Sequence, residues 1–228
     1  MFHVKHIELI GNFFKSRPGL PSGAEERIVS YLSLLIKERS IRKITASADP
    51  LVLAEEHIIP SMELGLNITG KNHADIGSGC GFPAIPSAIV RPDINFTLME
   101  PMMSRKTFLQ SLILKLQIEN ARLLQMRAED AGRNALYREK FDSATARAVL
   151  PLAGSAELTL PLLKIGGRFY AQPGASAAKQ IESAEEKIKD LGGAAAWKGG
   201  DLVIINKSAR TPDRFPRSWK RIQKSARG

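Results

Sequence analysis

Only one cysteine, Cys80, occurs in the 228 residues, so no internal disulfide framework staples the fold, and a reducing compartment is expected. No apolar run approaches the roughly 20 residues needed to cross a bilayer. The opening Met1-Phe2-His3-Val4-Lys5-His6 lacks the uninterrupted apolar stretch of a signal peptide. A cytoplasmic protein without membrane attachment is therefore expected. The four histidines, His3, His6, His57 and His73, have no metal-ligand spacing, so no metal site is expected. Internal repeats and low-complexity tracts are absent. Negative charge is the scarcer sign: 33 Lys and Arg against 23 Asp and Glu leave a net +10, which favours a polyanionic partner.

Much of that excess lies at the carboxy terminus. Lys207, Arg210, Arg214, Arg217, Lys220, Arg221, Lys224 and Arg227 are opposed there only by Asp213. Phe215 and Trp219 are interleaved with them, and aromatic faces stack on unpaired bases. This favours an RNA partner; a solvated tail with no specific role is the alternative.

The length suits one sizeable α/β domain plus a smaller attachment. Ile28, Tyr31, Leu32, Leu35 and Ile36 recur at helical spacing over 22–39, after a Ser22 suited to capping. Asp49-Pro50 starts a second helix expected to stop near Pro60. Residues 1–70 thus read as a helical extension. Strands are then expected at 73–77, 94–100, 122–126, 141–149 and 168–172, with helices over 105–116 and 175–191. Segments 194–198 and 202–206, joined by Gly199-Gly200-Asp201, read as a closing antiparallel hairpin. Alternating strands and helices imply a mostly parallel sheet over 71–207, followed by a basic tail over 208–228.

The most informative stretch is Ala74-Asp75-Ile76-Gly77-Ser78-Gly79-Cys80-Gly81-Phe82-Pro83. Glycines directly after a short apolar strand let a backbone approach a ligand closely. A dinucleotide site wants G-x-G-x-x-G, but the spacing here is G-x-G-x-G, with Phe82 where the last glycine would stand. A phosphate loop is excluded because no Lys-Ser or Lys-Thr follows at the required distance. Asp75, just before the glycines, suits a cationic amino group and would repel a pyrophosphate. Glu100 ends the second strand, where a carboxylate accepts from both hydroxyls of a ribose. The ligand suggested is an adenosine with an amino-acid tail and no phosphate, S-adenosylmethionine, resting on Asp75, Gly77, Gly79 and Glu100. The plainer alternative is a tight turn followed by a solvated strand end.

The motif D-I-G-S-G-x-G-F-P-x-I-P, Asp75 to Pro86, closely resembles the glucose-inhibited division protein B family, the bacterial 16S ribosomal RNA guanine-N7 methyltransferases. The similarity continues through Arg91-Pro92-Asp93, Thr97-Leu98-Met99-Glu100, Arg105, Phe108-Leu109 and Arg127-Ala128-Glu129-Asp130. It recurs in Phe141-Asp142-Ser143-Ala144-Thr145-Ala146-Arg147-Ala148, Gly167-Arg168-Phe169-Tyr170 and Thr211-Pro212 with Phe215-Pro216-Arg217. The resemblance implies a class I S-adenosylmethionine-dependent methyltransferase: a Rossmann-like, mostly parallel seven-stranded sheet with a carboxy-terminal antiparallel hairpin and a small helical extension. It also implies that Gly77, Phe82, Ala128, Glu129 and Arg147 bind the cofactor, with the Ala128–Glu129 pair at the adenine amino group. Phe82 is open to two roles, core packing or contact with the methionine part; Arg147 is either a site residue or a surface arginine. The chain departs from the family at Glu38-Arg39, at Lys43-Ile44-Thr45, at Ser104, and at Pro60, which replaces an aspartate.

The implied reaction moves a methyl group to N7 of a specific guanine in 16S rRNA, in a loop of the decoding region. N7 carries an in-plane lone pair and no proton, so no general base and no catalytic side chain is expected; orientation carries the rate. N7 in duplex RNA faces a deep groove that side chains do not read, so the substrate is a loop of free rRNA or of a small-subunit particle. Arg42, Lys43, Lys71, Arg105, Lys106 and the tail are candidates to grip it. A monomer is expected. Methylation of another RNA base, and an inactive RNA-binding assembly factor with the same fold, are the competing readings. A nicotinamide oxidoreductase is disfavoured by Phe82.

Overall fold

The computed structural model describes residues 5–38, 49–172, 177–197 and 202–226. The features expected at His3, Arg39, Arg42, Lys43-Ile44-Thr45, Ala175, Gly199-Gly200-Asp201 and Arg227 lie outside these residues. Seven strands, β1 (Asn72–Ile76), β2 (Asn95–Met99), β3 (Ala121–Leu124), β4 (Phe141–Arg147), β5 (Leu163–Gln172), β6 (Gly193–Trp197) and β7 (Val203–Lys207), form one sheet in the order β3-β2-β1-β4-β5-β7-β6. The five from β3 to β5 are mutually parallel, and β7 runs antiparallel to both β5 and β6. This is the seven-stranded α/β architecture expected from the sequence, closing hairpin included. The strand order reverses between β1 and β4, and open sheets of this kind bind ligands beyond the carboxyl ends of the strands at such a point.

Alternation along the strands sorts the apolar residues between two cores. Phe96, Leu98 and Tyr170 join one cluster, which also takes in α1 (Lys5–Lys15), α2 (Ala24–Lys37) and α5 (Ala84–Val90). Met99, Phe169 and Ala171 join the other, with α8 (Leu152–Thr159), α9 (Ala177–Asp190) and α10 (Trp219–Ser225). The amino-terminal helices therefore share a continuous core with the sheet: α2 turns Ile28, Tyr31, Leu32 and Leu35 inward at helical spacing. The carboxy-terminal segment folds back onto the opposite face through Phe215 and Ile222.

Several expectations need correction. Ser22 does not cap α2: Gly23, at φ 72°, occupies that position and supplies no side-chain cap. The helix from Pro50 does not stop near Pro60. It passes from α3 (Pro50–Val52) through a π-helical stretch, Leu53–Ile58, into α4 (Ile59–Asn67). Pro60 directly follows the π-helical stretch, in the first turn of α4, where the ladder has already left the regular i→i−4 pattern. Asp49 does cap, its Oδ1 accepting from Leu51 N at 2.8 Å. Helix α1 and helix α8 were not expected. The latter is buried on nearly every side, so it has no amphipathic period to read. Strand β5 starts at Leu163 rather than 168, with Gly166 and Gly167 inside it and an irregular register against β4. The expected helix over 105–116 is α6 (Met103–Lys115).

Candidate active site

A cavity of about 330 Å³ opens at the carboxyl ends of β1, β2 and β4. Its walls include Gly77 after β1, Glu100 after β2, Ala128 and Glu129 of the one-turn α7 (Ala128–Ala131), and Ala148 and Val149 after β4. The structure thus brings Gly77, Glu100, Ala128 and Glu129 together. Gly77 takes φ +69°, and a Cβ there would lie 2.9 Å from Val149 Cγ2; the cavity keeps its shape because that atom is missing. Gly81 takes φ +105°, and a Cβ there would meet Ile85 Cγ1 at 2.5 Å. The turn is pinned to β2, with Gly77 N donating to Met99 O at 2.9 Å.

Glu100 is buried, and its two oxygens accept from Gly79 N at 3.0 Å and Met102 N at 2.9 Å. It is not a solvated strand end. Each carboxylate oxygen has two lone pairs, so both retain acceptor capacity. Gly79 lies behind this carboxylate rather than in the cavity wall.

Asp75 sits just beneath the turn, fully enclosed. The β1–β4 register sets it opposite Thr145, whose hydroxyl donates to Asp75 Oδ1 at 2.7 Å. Asp75 Oδ2 is buried and has no hydrogen-bond partner among the described residues. Burial pushes this carboxyl up to about 6. His73 continues the line, with Nε2 2.9 Å from Thr145 Oγ1 and Nδ1 2.9 Å from Ser143 Oγ. Because Thr145 gives its proton to Asp75, it accepts from His73 Nε2–H, and Ser143 donates to Nδ1. Burial pushes His73 down to about 3, consistent with a neutral imidazole.

Phe82 and Arg147 stand outside the cavity wall, in a second cluster. Phe82 is buried edge-on to Tyr31 (centroids 5.6 Å apart) and against His57 at 5.1 Å. Arg147 Nη2 reaches 2.7 Å from His57 Nδ1 and 3.1 Å from Glu56 O. Burial and the Arg147 charge lower the His57 pKa. The ring is therefore neutral near neutral pH, accepting at Nδ1 and carrying its proton on Nε2. Tyr31 closes the cluster by donating to Cys80 O at 2.9 Å. Burial pushes the Cys80 thiol up to about 12, which removes it as a nucleophile.

Glu129 is also raised by burial, with Arg127 Nη1 4.0 Å from its Oε1. Arg127 in turn lies over the Trp219 ring, 5.7 Å from its centroid. Trp219, Met126, Arg105 and Val149 line the cavity and were not among the expected cofactor residues.

The expected RNA-binding tail is altered in three respects. Phe215 is buried in the core under Lys187, 3.8 Å from its ring, and offers no face for a base. Lys207 is also buried, donating to the carbonyls of Leu160 and Leu191 and to Thr211 Oγ1; burial pushes it down to about 8. Arg217 forms a paired contact with buried Glu157 at 2.7–3.1 Å. Lys71 precedes β1, at the end of the sheet opposite the cavity, where Asp93 lies 3.5 Å away; it does not share a surface with the site. Among the described residues no cluster of three or more His, Cys, Asp or Glu is placed to hold a metal, and no helix is long and apolar enough to cross a membrane.

Residues 24–196 match the sequence model of the rRNA small subunit methyltransferase G family. A protein of that name from Desulfitobacterium hafniense is 31% identical over 227 residues, covering 93% of this chain and 94% of the relative. The chain belongs to this family. Another member, from Lactobacillus delbrueckii subsp. bulgaricus, is 39% identical over 158 residues, covering 65% of this chain and 66% of that relative. Among solved structures, a SAM-dependent O-methyltransferase from Thermotoga maritima superposes with a TM-score of 0.51 at 15% identity, covering 67% of this chain and 66% of that one. That likeness establishes the class I methyltransferase fold. The family match is the one expected from the Asp75 to Pro86 motif.

Proposed function

We propose that this protein transfers the methyl group of S-adenosylmethionine to N7 of a guanine in 16S ribosomal RNA. The observation that carries the reading is the cavity at the strand ends, walled by Gly77, Glu100, Ala128 and Glu129, with the enclosed Asp75 carboxyl beneath its glycine turn. Asp75 sets negative charge beneath the turn, which suits the ammonium of an amino-acid tail bound above it. Gly77 leaves room for the backbone to approach the ligand, and Glu100 retains lone pairs for ribose hydroxyls. Ala128 and Glu129 face the same cavity at the place assigned to the adenine amino group. When bound, the cofactor supplies an electrophilic methyl group on a sulfonium centre.

The residues have little proton chemistry to perform. Guanine N7 brings a free lone pair, so the chain's task is alignment, and the titratable groups nearest the turn are enclosed. Asp75 and His73 are locked in one relay, and Cys80 is held as a thiol. Arg147 and Phe82 act from outside the cavity, joining the strand ends to the 50–67 helix. Arg105 lines the cavity mouth; with Lys106 and the exposed Lys220, Arg221 and Lys224 it supplies positive charge for the phosphate backbone.

The test is incubation with methyl-labelled cofactor and either unmodified 16S transcript or small-subunit particles, followed by nuclease digestion and mass spectrometry. One 7-methylguanosine in 16S rRNA is expected. Label on another base, or on neither substrate, would overturn the reading.

A further inference from the structure

Trp219 belongs to the basic carboxy-terminal segment, yet it lines the cavity. Among the described residues that line the cavity, it alone is aromatic. Its position is fixed from several sides. Ile222, one turn along α10, is fully buried. Arg217 is held by Glu157 and also donates to Ser225 Oγ at 2.8 Å. Arg133 Nε donates to Pro216 O at 2.8 Å. The segment leading into α10 is thus anchored on both sides of Trp219, by Arg133 and Glu157 before it and by Ile222 after it.

The end of the cavity that Trp219 occupies is also defined. Arg127, over the indole ring, immediately precedes Ala128 and Glu129, so Trp219 lies beside the wall assigned to adenine and not beside Asp75. The remaining apolar wall there is aliphatic, from Met126 and Leu158. A flat purine ring gains most from an aromatic partner.

We propose that Trp219 is a cofactor-binding residue that packs against the adenine ring, making α10 part of the cofactor site. This rests on the reading of the cavity as an S-adenosylmethionine site. It also gives α10 two uses, since Lys220, Arg221 and Lys224 on the same helix are exposed. The inward indole meets the cofactor while the outward charges meet RNA.

The chain has two tryptophans, Trp197 and Trp219, which makes the proposal accessible to fluorescence as well as to calorimetry on the full chain with S-adenosylhomocysteine. The wild type is expected to bind with quenching of indole emission. Trp219→Phe should abolish the quenching but keep most of the affinity, because a ring remains. Trp219→Ala should weaken binding about tenfold, the loss that follows removal of one base–aromatic stack. Calorimetric binding by the wild type with unchanged affinity in Trp219→Ala, and unchanged quenching in Trp219→Phe, would overturn the role of Trp219 and leave the cavity reading intact. No binding by the folded wild type would overturn both.

Discussion

The two ends of this chain reach the same sheet by different physics. The amino-terminal helices lie on one face through apolar side chains, with Ile10, Ile28, Leu32 and Leu35 all essentially inaccessible. The carboxy-terminal segment holds the other face through Phe215 and Ile222 and, in addition, through charge. Glu157, completely buried, receives Arg217 at 2.7 Å and Lys187 at 2.9 Å, and Lys207 donates to carbonyls inside the fold. Apolar burial is non-directional and insensitive to pH, whereas a buried carboxylate is secure only while both it and its partners are ionised. The difference teaches that a segment rich in positive charge can be an integral part of a fold. Four of the basic residues that read as a nucleic-acid tail, Lys207, Arg210, Arg214 and Arg217, contact carbonyls or carboxylates of the same chain.

That contrast can be broken from either side. Leu32→Ala should cost about 2–5 kcal/mol of stability, equally at neutral and acid pH. Glu157→Ala should cost about 3 kcal/mol near neutrality, because Arg217 and Lys187 lose their shared partner. Burial alone would raise the Glu157 pKa, but hydrogen bonds from Arg217 and Lys187 outweigh it and hold it below the ordinary 4.5. A depressed carboxyl contributes stability above its unfolded pKa and loses it as pH falls through the folded value. Urea denaturation should therefore show the Glu157→Ala penalty shrinking below pH 4.5 while the Leu32→Ala penalty persists. Parallel pH profiles would show that the two attachments do not differ in kind.

Asp75, in β1, sharpens the account of the cavity. Burial pushes its carboxyl up to about 6, and a bound ammonium would stabilise the ionised form. Cofactor binding then releases a proton below pH 6, so affinity should fall by up to about tenfold per pH unit there. Asp75→Asn should be weaker at neutral pH and lack that slope. Calorimetry in buffers of different ionisation enthalpy counts the proton directly; no release at pH 5.5–6 would separate Asp75 from the ligand's charge.

The smallest expected effect concerns the polar contact between α2 and the glycine turn. Tyr31→Phe removes the donor to Cys80 O and should cost about 1–2 kcal/mol, since a buried carbonyl loses its partner. The same variant should leave the Phe82 stack in place. A loss well above that range would mean that α2 shapes the turn and does more than cover it.

Local patterns were readable without the structure. That Gly77 and Glu100 come together at one cavity wall was legible because the strand–turn–helix motif and the second strand's terminal acid are contiguous signals. Thr145 as the partner of Asp75 depends on the β1–β4 register, which no single segment carries. The contact between Arg147 and His57 joins residues 90 positions apart, and nothing in either segment announces it. Trp219 was visible only as an aromatic among positive charges. Its place in the cavity follows from Ile222 and Arg217 anchoring the segment, contacts that composition does not encode. Helix α8 was hidden for the opposite reason: burial on nearly all sides erases the polar face that marks a surface helix.

The central claim is that the glycine turn walls a cofactor site, and Gly77→Val tests it most directly. Valine at φ +69° is strained and its Cβ would meet Val149 at 2.9 Å. In calorimetric titrations with S-adenosylhomocysteine, the wild type should bind stoichiometrically. The variant, with a native circular dichroism spectrum, should bind about 100-fold more weakly or not at all. Equal affinity in the two folded proteins would contradict the account.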